Sequence, residues 1–225
     1  MTFSGVMLDM DGTLVLSNDA HAQAWVEAFA AFGHELEFDR VRPLIGMGGD
    51  RIIPKFLPGC SDQEGEGKEI ADRRKELIID KFAANLAPAK GSRDLTIKMQ
   101  QQGLRLLIAS SATSEELSVL LKVAQVDDLL SQDEATTSSD TEASKPEPDL
   151  MQVALEKLGM PAERVVMIGD TPYDIEAAKK VGVATIAFRC GGFSDEQLKD
   201  AIAIYNDPAD LLEHYDDSPL VAHPD

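Results

Sequence analysis

The sequence predicts an α/β fold in which a parallel β-sheet forms the core and a helical segment is inserted into it. Short apolar runs that stop abruptly at polar residues are typical of buried parallel strands. Helical patterns lie between these runs, so strands and helices alternate along the chain. The three runs that stop at polar residues are Phe3–Leu8, Leu104–Ala109 and Arg164–Ile168. Residues 183–188 and 202–205 predict two further strands.

The predicted helices between these strands show apolar residues at helical spacing. One of them places Leu150, Ala154 and Leu158 on one face and ends at Gly159, a typical C-terminal cap. Strands that alternate with such helices predict a Rossmann-like sheet, in which ligands bind at the carboxyl ends of the strands. Polar residues that follow different strands are therefore expected to meet at one edge.

Residues 17–86 contain helical patterns and no convincing strand, which predicts a helical cap inserted into the sheet domain. Its first predicted helix places His21 and Trp25 on one face, followed by further aromatic residues. The predicted organisation is a core built from residues 1–16 and 87–225, with the cap between them.

The 225-residue chain has 21 Lys and Arg residues against 40 Asp and Glu residues, a net charge of -19. This charge repels nucleic acids and anionic membrane surfaces, so neither is an expected partner. It would also repel an anionic ligand. Any phosphate site must therefore gather its own cations and backbone N–H donors.

The two cysteines, Cys60 and Cys190, are too few for a disulfide framework. The first residues are not a basic and apolar leader, and no apolar run approaches the roughly 20 residues that span a bilayer. We therefore expect a cytoplasmic protein, and we expect it to be a monomer.

Two polar segments show no pattern that predicts chemistry. Residues 131–144 are acidic and rich in Ser and Thr, which predicts a solvated loop. The segment after Leu212 predicts a weakly structured acidic end.

Asp9 and Asp11 follow the first predicted strand and are separated by one residue. Two carboxylates this close repel each other, and a bound Mg²⁺ with oxygen ligands is the simplest way to keep both ionised. Gly12 permits a tight turn. Taken alone, this run is more typical of an ordinary turn between a strand and a helix.

Asp170 ends another predicted strand and brings a third carboxylate to the same edge. The residues after it predict a helix start, with Thr171 as N-cap, Pro172 at the first position and Asp174 at the third. Asp174 is therefore either a capping residue or a member of a metal site, and both roles can coexist.

Ser110 and Ser111 follow the middle strand, where a hydroxyl and backbone N–H groups can hold phosphate oxygens at a helix entrance. A capping box from Thr113 to Glu116 is the structural alternative for this cluster. Lys145 lies in a segment stiffened by prolines, which suits the positioned cation that a phosphate site needs, and the structural alternative is an ordinary surface lysine.

Together these strand-end residues and Lys145 resemble the four motifs of the haloacid dehalogenase superfamily of phosphohydrolases, in the expected order. The resemblance extends from Phe3 to about Leu212. It implies a Rossmann-like core with an inserted cap, Mg²⁺ as cofactor and a small-molecule phosphate ester as substrate. The first cap helix, with His21 and Trp25, resembles the phosphoglycolate phosphatase and β-phosphoglucomutase branch.

The resemblance implies a covalent route in which Asp9 attacks phosphorus to give an aspartyl phosphate. Asp11 would protonate the leaving alcohol and then activate water. To donate a proton, Asp11 needs a raised pKa. We expect an apolar cap that closes over the site to raise this pKa by desolvation. Lys145 would neutralise charge between the nucleophile and the phosphate.

The resemblance also implies the binding residues. Thr13 and Ser110 would orient phosphate oxygens. Mg²⁺ would be held by the Asp9 carboxylate, the backbone carbonyl of Asp11 and the Asp170 carboxylate.

Three further residues are candidate substrate contacts. Ser111 follows the second-motif serine, and His21 lies on the first cap helix, where its structural alternative is packing against Trp25 one turn away. Arg51 ends the segment Gly46–Arg51, which resembles the substrate-specificity loop of the branch. The structural alternative for Arg51 is a solvated residue at a helix start.

A phosphatase and a sugar-phosphate mutase both fit the resemblance. Mutases of the branch carry a polar or cationic pair shortly after the second-motif serine, where this chain has Ala112 and Thr113. The sequence therefore favours hydrolysis, although His21 is shared with mutases. A third hypothesis, a non-catalytic phosphate-sensing module, is disfavoured by the presence of Asp11.

Overall fold

The computed structural model describes residues 3–141 and 143–221. Six parallel strands form one sheet in the order β3-β2-β1-β4-β5-β6. Leu8 of β1 is level with Ile108 of β2 and with Ile168 of β4, so the residues that follow these strands share one edge of the sheet. The α/β fold class is confirmed, and all five predicted strands are present. The strands are β1 (Gly5–Leu8), β2 (Arg105–Ala109), β3 (Ala135–Thr136), β4 (Val165–Gly169), β5 (Ala184–Phe188) and β6 (Ala203–Tyr205).

Helices cover both faces of this sheet. Because side chains alternate along a strand, Leu8 packs on one face in a cluster with Leu95 and Leu117, while Met7 packs on the other face with Leu150. Helices α5, α6 and α10 cover the first face, and α7 and α8 cover the second. The helices of this part of the chain are α5 (Ser92–Gln101), α6 (Ser114–Val123), α7 (Asp149–Leu158), α8 (Pro172–Lys180), α9 (Asp195–Leu198) and α10 (Pro208–Glu213).

The stretch between β1 and α5 is helical, as its sequence pattern indicates. Trp25, Phe29, Ile52 and Ile78 belong to an apolar cluster separate from the sheet's two clusters. A π-helical segment, Leu77–Phe82, continues the last of the four α-helices. The α-helices are α1 (Asn18–Ala31), α2 (Phe38–Val41), α3 (Gly49–Phe56) and α4 (Gly65–Glu76).

The interpretation of residues 131–144 as a solvated loop is wrong for part of the segment. Ala135 and Thr136 form β3, which pairs with the end of β2, and Thr136 is fully buried. The N–H of Ser110 donates to the carbonyl of Thr136 at 3.0 Å. A strand of two residues is too short to show an alternating pattern, so only its partner reveals it.

The interpretation of the chain end as weakly structured is also wrong for the residues that are described. Tyr215 and Leu220 are buried in the cluster on the first sheet face, and residues 215–217 form a 3₁₀ turn. The ammonium of Lys98 lies 5.1 Å from the centre of the Tyr215 ring. Acidic residues lie between Tyr215 and Leu220. The hydropathy averaged over this segment is therefore low and does not reveal that these two residues are buried. Residues 222–225 lie outside the described range.

Within the described residues, no helix is both long and apolar enough to cross a membrane.

Candidate active site

The edge of the sheet where β1 and β4 end brings together two of the predicted carboxylates. Asp9 follows β1, and its N–H donates to the carbonyl of Ile168 at 2.9 Å. The hydroxyl of Thr13 lies between the two acids, 3.3 Å from Oδ2 of Asp9 and 3.1 Å from Oδ1 of Asp170. The parallel register explains this convergence, because it aligns the ends of neighbouring strands.

Two glycines make room for the Asp170 carboxylate. Gly12 adopts a φ of +79°, and a Cβ atom there would lie 2.2 Å from Oδ2 of Asp170. A Cβ atom at Gly191 would lie 1.7 Å from the same oxygen. Any larger residue at either position would therefore displace the carboxylate.

Lys145 is buried among these acids. Its Nζ lies 2.6 Å from Oδ1 of Asp9 and 2.6 Å from Oδ1 of Asp174. Burial alone would lower the pKa of Lys145, but the charges of Asp174 and Asp9 outweigh it and hold that pKa above its usual range. Lys145 is therefore a permanently charged ammonium directly beside Asp9.

Asp174 lies at the start of α8, and its two carboxylate oxygens make different contacts. Its Oδ2 accepts hydrogen bonds from the backbone N–H and the hydroxyl of Thr171, at 3.0 and 2.7 Å, and so caps α8. Its other oxygen faces Lys145. A capping residue of α8 thus also faces the centre of the site.

Asp9, Asp170 and Asp174 form a group whose carboxylate oxygens lie within 4.8 Å of one another. All three are buried, and Lys145 is their neighbouring cation, so three negative charges face one positive charge. Burial, partly offset by Lys145 and reinforced by Asp174 and Asp11, raises the pKa of Asp9 to about 7. Burial and the Asp9 charge raise the pKa of Asp170 as well.

This donor set fits a hard divalent cation. Mg²⁺ prefers oxygen ligands and binds through few carboxylates, with water completing its coordination. Its two positive charges would offset the two negative charges that remain after Lys145 is counted. The Asp11 carboxylate lies outside this group. Asp11 could therefore contact the metal ion only through its backbone carbonyl, which is the contact that the resemblance implies.

Asp11 is held by contacts of a different kind. Its Oδ1 accepts a hydrogen bond from the hydroxyl of Ser17 at 2.5 Å and lies 2.6 Å from Nε2 of His21. Burial alone would raise the pKa of Asp11, but His21, Ser17 and nearby Arg74 outweigh it and lower the pKa to about 2. The expectation of a raised pKa is therefore wrong, because the helical segment also brings His21, Ser17 and Arg74 towards Asp11, and their combined effect outweighs the desolvation.

Arg74 fixes the orientation of His21. A guanidinium N–H of Arg74 lies 2.5 Å from Nδ1 of His21. Because a guanidinium only donates, Nδ1 accepts, and the ring proton lies on Nε2, facing Asp11. Arg74 also pairs with Glu116, which is fully buried at the start of α6. A chain of contacts therefore runs from α6 through α4 and α1 to Asp11.

The sequence pattern did not reveal Arg74, which lies within a charged run of α4. A usable signal was present: Arg74 lies four residues after Ile70 and four before Ile78, on the stripe that packs inward. Asn18 was missed as well. Its amide nitrogen donates to Oδ2 of Asp170 at 2.7 Å, and an Asn at a helix start looks like an ordinary cap.

The two serines after β2 take different positions. The hydroxyl of Ser110 is buried and accepts a hydrogen bond from the N–H of Ala112 at 3.1 Å. The hydroxyl of Ser111 donates to the carbonyl of Gly46 at 3.2 Å, linking the strand end to the helical segment. The capping box from Thr113 to Glu116 is present.

Arg51 is not brought to this group. It pairs with Asp50 at 3.3 Å and with Glu147 at 3.0 Å, and its side chain is 37% exposed. These two acids satisfy its charge, so the position matches the structural alternative of a residue at a helix start.

Two adjoining cavities lead away from Asp9. A small one of about 40 Å³ is lined by Asp9, Asp11 and His21. A larger one of about 360 Å³ shares Trp25 and Arg74 with it. The larger cavity is of the size that holds a small ligand. The reacting group would therefore sit in the small cavity, and the rest of a ligand in the larger one.

Comparisons with known proteins agree with this geometry. The family model described as haloacid dehalogenase-like hydrolase matches residues 6–188. The chloroplastic protein SUPPRESSOR OF QUENCHING 1 of Arabidopsis thaliana is 32% identical over 205 residues, which are 88% of this chain but only 19% of that longer protein. The putative pyrophosphatase PpaX of Caldanaerobacter subterraneus is 28% identical over 88% of this chain and 87% of its own length.

Solved structures show the same similarity. A hydrolase from Pseudomonas syringae superposes with a TM-score of 0.86 at 26% identity, covering 95% of this chain and 98% of that one. CbbY from Rhodobacter sphaeroides, in complex with xylulose-(1,5)bisphosphate, has a TM-score of 0.77 at 25% identity, covering 93% of this chain and 96% of that one.

Proposed function

The chain belongs to the haloacid dehalogenase-like hydrolase family and is a phosphatase, and from that premise we propose that it hydrolyses a small phosphorylated metabolite with Mg²⁺ as its cofactor. The observation that carries the proposal is the buried pair of Asp9 and Lys145, 2.6 Å apart and beside two further carboxylates. A cytoplasmic location and a monomeric state stay predictions of the sequence.

Asp9 is the proposed nucleophile. One of its oxygens forms a bond to phosphorus while the bond from phosphorus to the leaving oxygen breaks, which gives an aspartyl phosphate and the alcohol. Lys145 contacts Oδ1 of Asp9, and its positive charge counters the charge that accumulates between the carboxylate and the phosphate. Water then attacks the aspartyl phosphate, releasing phosphate and restoring Asp9.

Asp11 is the proposed proton carrier. With a pKa of about 2 it is ionised before a substrate arrives, which suits it to accept the proton of the attacking water. A phosphate dianion that enters the small cavity places like charge beside Asp11, and like charge raises a carboxylate pKa. That proton comes from solvent water or from the monoanionic form of the ester: Asp11 takes it up, passes it to the leaving oxygen, and is ionised again when water attacks the aspartyl phosphate.

We propose that Asp9 and Asp170 hold Mg²⁺, with Asp174 completing the group or positioning Lys145 beside it. When bound there, Mg²⁺ would supply charge stabilisation for the phosphoryl oxygens. Thr13 contacts both of the first two acids and keeps their spacing. Three buried carboxylates with a single ammonium support this assignment, since without a cation they repel one another.

The helical segment is the proposed cap. Residues 17–86 would form it, and residues 1–16 and 87–225 would form the catalytic core. The separate apolar cluster of the helical segment supports this division. Two hydrogen bonds hold the segment against the sheet domain: Ser111 donates to Gly46, and the N–H of Gly48 donates to the Ser144 hydroxyl at 2.9 Å. A cap held in this way would shield the aspartyl phosphate from water other than the one that reacts.

The proposal is tested by phosphate release from p-nitrophenyl phosphate, with Mg²⁺ and with EDTA. We expect release that requires Mg²⁺ and that disappears in Asp9→Asn. Asp200→Asn is the matched control, because Asp200 is an exposed acid that pairs with Lys179 at the surface. Equal release by wild type and Asp9→Asn, or full release in EDTA, would refute the proposal.

A further inference from the structure

The larger cavity, beside the catalytic group, contains charged side chains of both signs. Its acids are Asp50, Asp62, Asp72 and Glu116, and its bases are Arg74 and Lys75. If the phosphate of a substrate lies at Asp9, the alcohol part of that substrate extends into this cavity. The charges that line the cavity therefore act on the leaving group.

Both basic residues of this cavity are already paired. Arg74 contacts buried Glu116, and Lys75 lies 2.9 Å from Glu115. A second phosphate or a carboxylate on the substrate would have to take one of these cations from its partner. Breaking the Arg74 pair would leave Glu116 charged and buried, which costs several kcal/mol.

Most of the acids are paired too. Asp72 lies 2.5 Å from Lys68, and Asp50 lies 3.3 Å from Arg51. Among the described residues, Asp62 is the charged side chain of this cavity that has no ion-pair partner. The unmatched charge that a ligand meets is therefore negative.

Asp62 lies close to the path from the small cavity. A Cβ atom added to Gly49 would lie 3.3 Å from the Asp62 carboxylate and 3.4 Å from the ring of Trp25, and both Gly49 and Trp25 line both cavities. Burial and the charge of Asp50 raise the pKa of Asp62, and the hydrogen bond that Gln63 donates to Oδ1 of Asp62 at 3.1 Å offsets part of this rise. A cation beside Asp62 would relieve both effects.

The rest of the cavity wall offers neutral hydrogen-bonding groups. Six of the lining residues carry a hydroxyl, namely Ser111, Thr113, Ser138, Ser139, Thr141 and Ser144. Hydroxyl groups accept from and donate to the hydroxyls of a polyol. The wall therefore suits a polyol that carries a positive group and no second acid.

We propose that the substrate is the phosphate monoester of an amine-bearing polyol, and that Asp62 selects it by accepting hydrogen bonds from the substrate's ammonium group. This proposal rests on the proposed phosphatase function. Its chemistry differs from that of pyrophosphate or a sugar bisphosphate, both of which present a second anionic group.

A series of three sugar phosphates of similar size tests the proposal. Glucosamine 6-phosphate has an ammonium group, glucose 6-phosphate has a neutral hydroxyl, and 6-phosphogluconate has a carboxylate away from the phosphate. We expect kcat/KM with Mg²⁺ to fall in that order, by about tenfold or more from the first to the last, which corresponds to about 1.4 kcal/mol.

Asp62→Asn removes the charge and keeps the size of the side chain. The readout is the ratio of kcat/KM for glucosamine 6-phosphate to that for glucose 6-phosphate, measured in one variant, so a general change in rate cancels. We expect this ratio to fall to about one in Asp62→Asn. The matched control is Asp72→Asn, which changes a paired acid of the same cavity and should keep the wild-type ratio.

Binding to the Asp9→Asn protein, measured by calorimetry, decides the proposal independently of turnover. Tightest binding of glucosamine 6-phosphate supports it. Tighter binding of 6-phosphogluconate, no binding of any of the three compounds, or an unchanged ratio in Asp62→Asn overturns it. If the phosphatase function itself is wrong, p-nitrophenyl phosphate is not hydrolysed either. If only the substrate preference is wrong, p-nitrophenyl phosphate is still hydrolysed.

Discussion

The ammonium of Lys145 lies 2.6 Å from Oδ1 of Asp9, although the two residues are 136 positions apart in the chain. The side chains of both residues are almost completely buried. A buried charge pair stabilises the fold only while both partners are present. Activity and stability therefore depend on the same contact.

Lys145→Met removes the positive charge and leaves Asp9 and Asp174 without it. We expect the free energy of unfolding to fall by about 3 kcal/mol, because the acids become unpaired and buried. We expect kcat to fall by about 10²-fold or more, because a charge-stabilising group is lost. Urea unfolding and the hydrolysis of p-nitrophenyl phosphate measure the two effects.

Lys179→Met is the matched control for Lys145→Met. The side chain of Lys179 is 70% exposed and pairs with Asp200 at the surface. Exposed pairs contribute little, so the free energy of unfolding should change by less than about 1 kcal/mol. Equal losses in the two variants would contradict the role assigned to the buried pair.

The stability of the metal-free protein should fall as pH rises. The pKa of Asp9 in the folded protein is about 7, above its ordinary value of 3.8, so folding favours the protonated acid. The stabilisation from this proton is complete below about pH 3.8 and is lost as pH rises through 7. In EDTA, the free energy of unfolding should fall by on the order of 2–4 kcal/mol over this range.

Two comparisons separate the contribution of the Asp9 proton to the pH dependence of stability from general charge repulsion. Asp9→Asn should show a smaller fall with pH, whereas Asp200→Asn removes one exposed charge and should keep the wild-type slope. Saturating Mg²⁺ should flatten the wild-type curve, because the ion binds the ionised carboxylates and stabilises the folded state. A wild-type slope in Asp9→Asn would contradict the assignment.

The contacts from Glu116 through Arg74 to His21 predict a non-additive pair of substitutions. Arg74→Met should lower the free energy of unfolding by about 3 kcal/mol, because it leaves Glu116 charged and buried. Adding Glu116→Gln should restore much of that loss, since Gln also completes a capping box with Thr113. Thermal and urea unfolding of the single and double variants give the coupling free energy.

Activity should not recover in the same double variant. His21 would still lack the N–H donor at Nδ1 that holds its ring proton towards Asp11. We therefore expect kcat of Arg74→Met with Glu116→Gln to stay as low as that of Arg74→Met. Recovery of stability and kcat together would show that Arg74 has a structural role only.

Gly12 and Gly103 form a matched pair of glycines with the same φ of +79°. Alanine at either position meets the same backbone strain, of about 1 kcal/mol. At Gly103 the new Cβ atom meets no atom within 4 Å, whereas at Gly12 it would lie 2.2 Å from Oδ2 of Asp170. Gly12→Ala should therefore lose activity and Mg²⁺-dependent thermal stabilisation, and Gly103→Ala should keep both. Similar Mg²⁺ responses in the two variants would contradict this prediction.

Residues that follow strands could be predicted from the sequence because their signal is local. Asp9 and Asp170 each end an apolar run, and parallel pairing then places the ends of neighbouring strands at one edge. Gly12 and the Thr171 cap also reflect the conformation of their own segments. The fold class followed from the alternation of such runs with helical patterns.

The tertiary structure alone decided which side chains meet across distant segments. Arg74 and Glu116 are 42 positions apart, and β3 is recognisable only by its pairing with β2. The pKa of Asp11 depended on whether polar or apolar groups would cover it, and only the folded chain places His21 and Ser17 there. Periodicity reports which face of an element is buried, whereas charge pairing depends on the distance between elements that are remote in sequence.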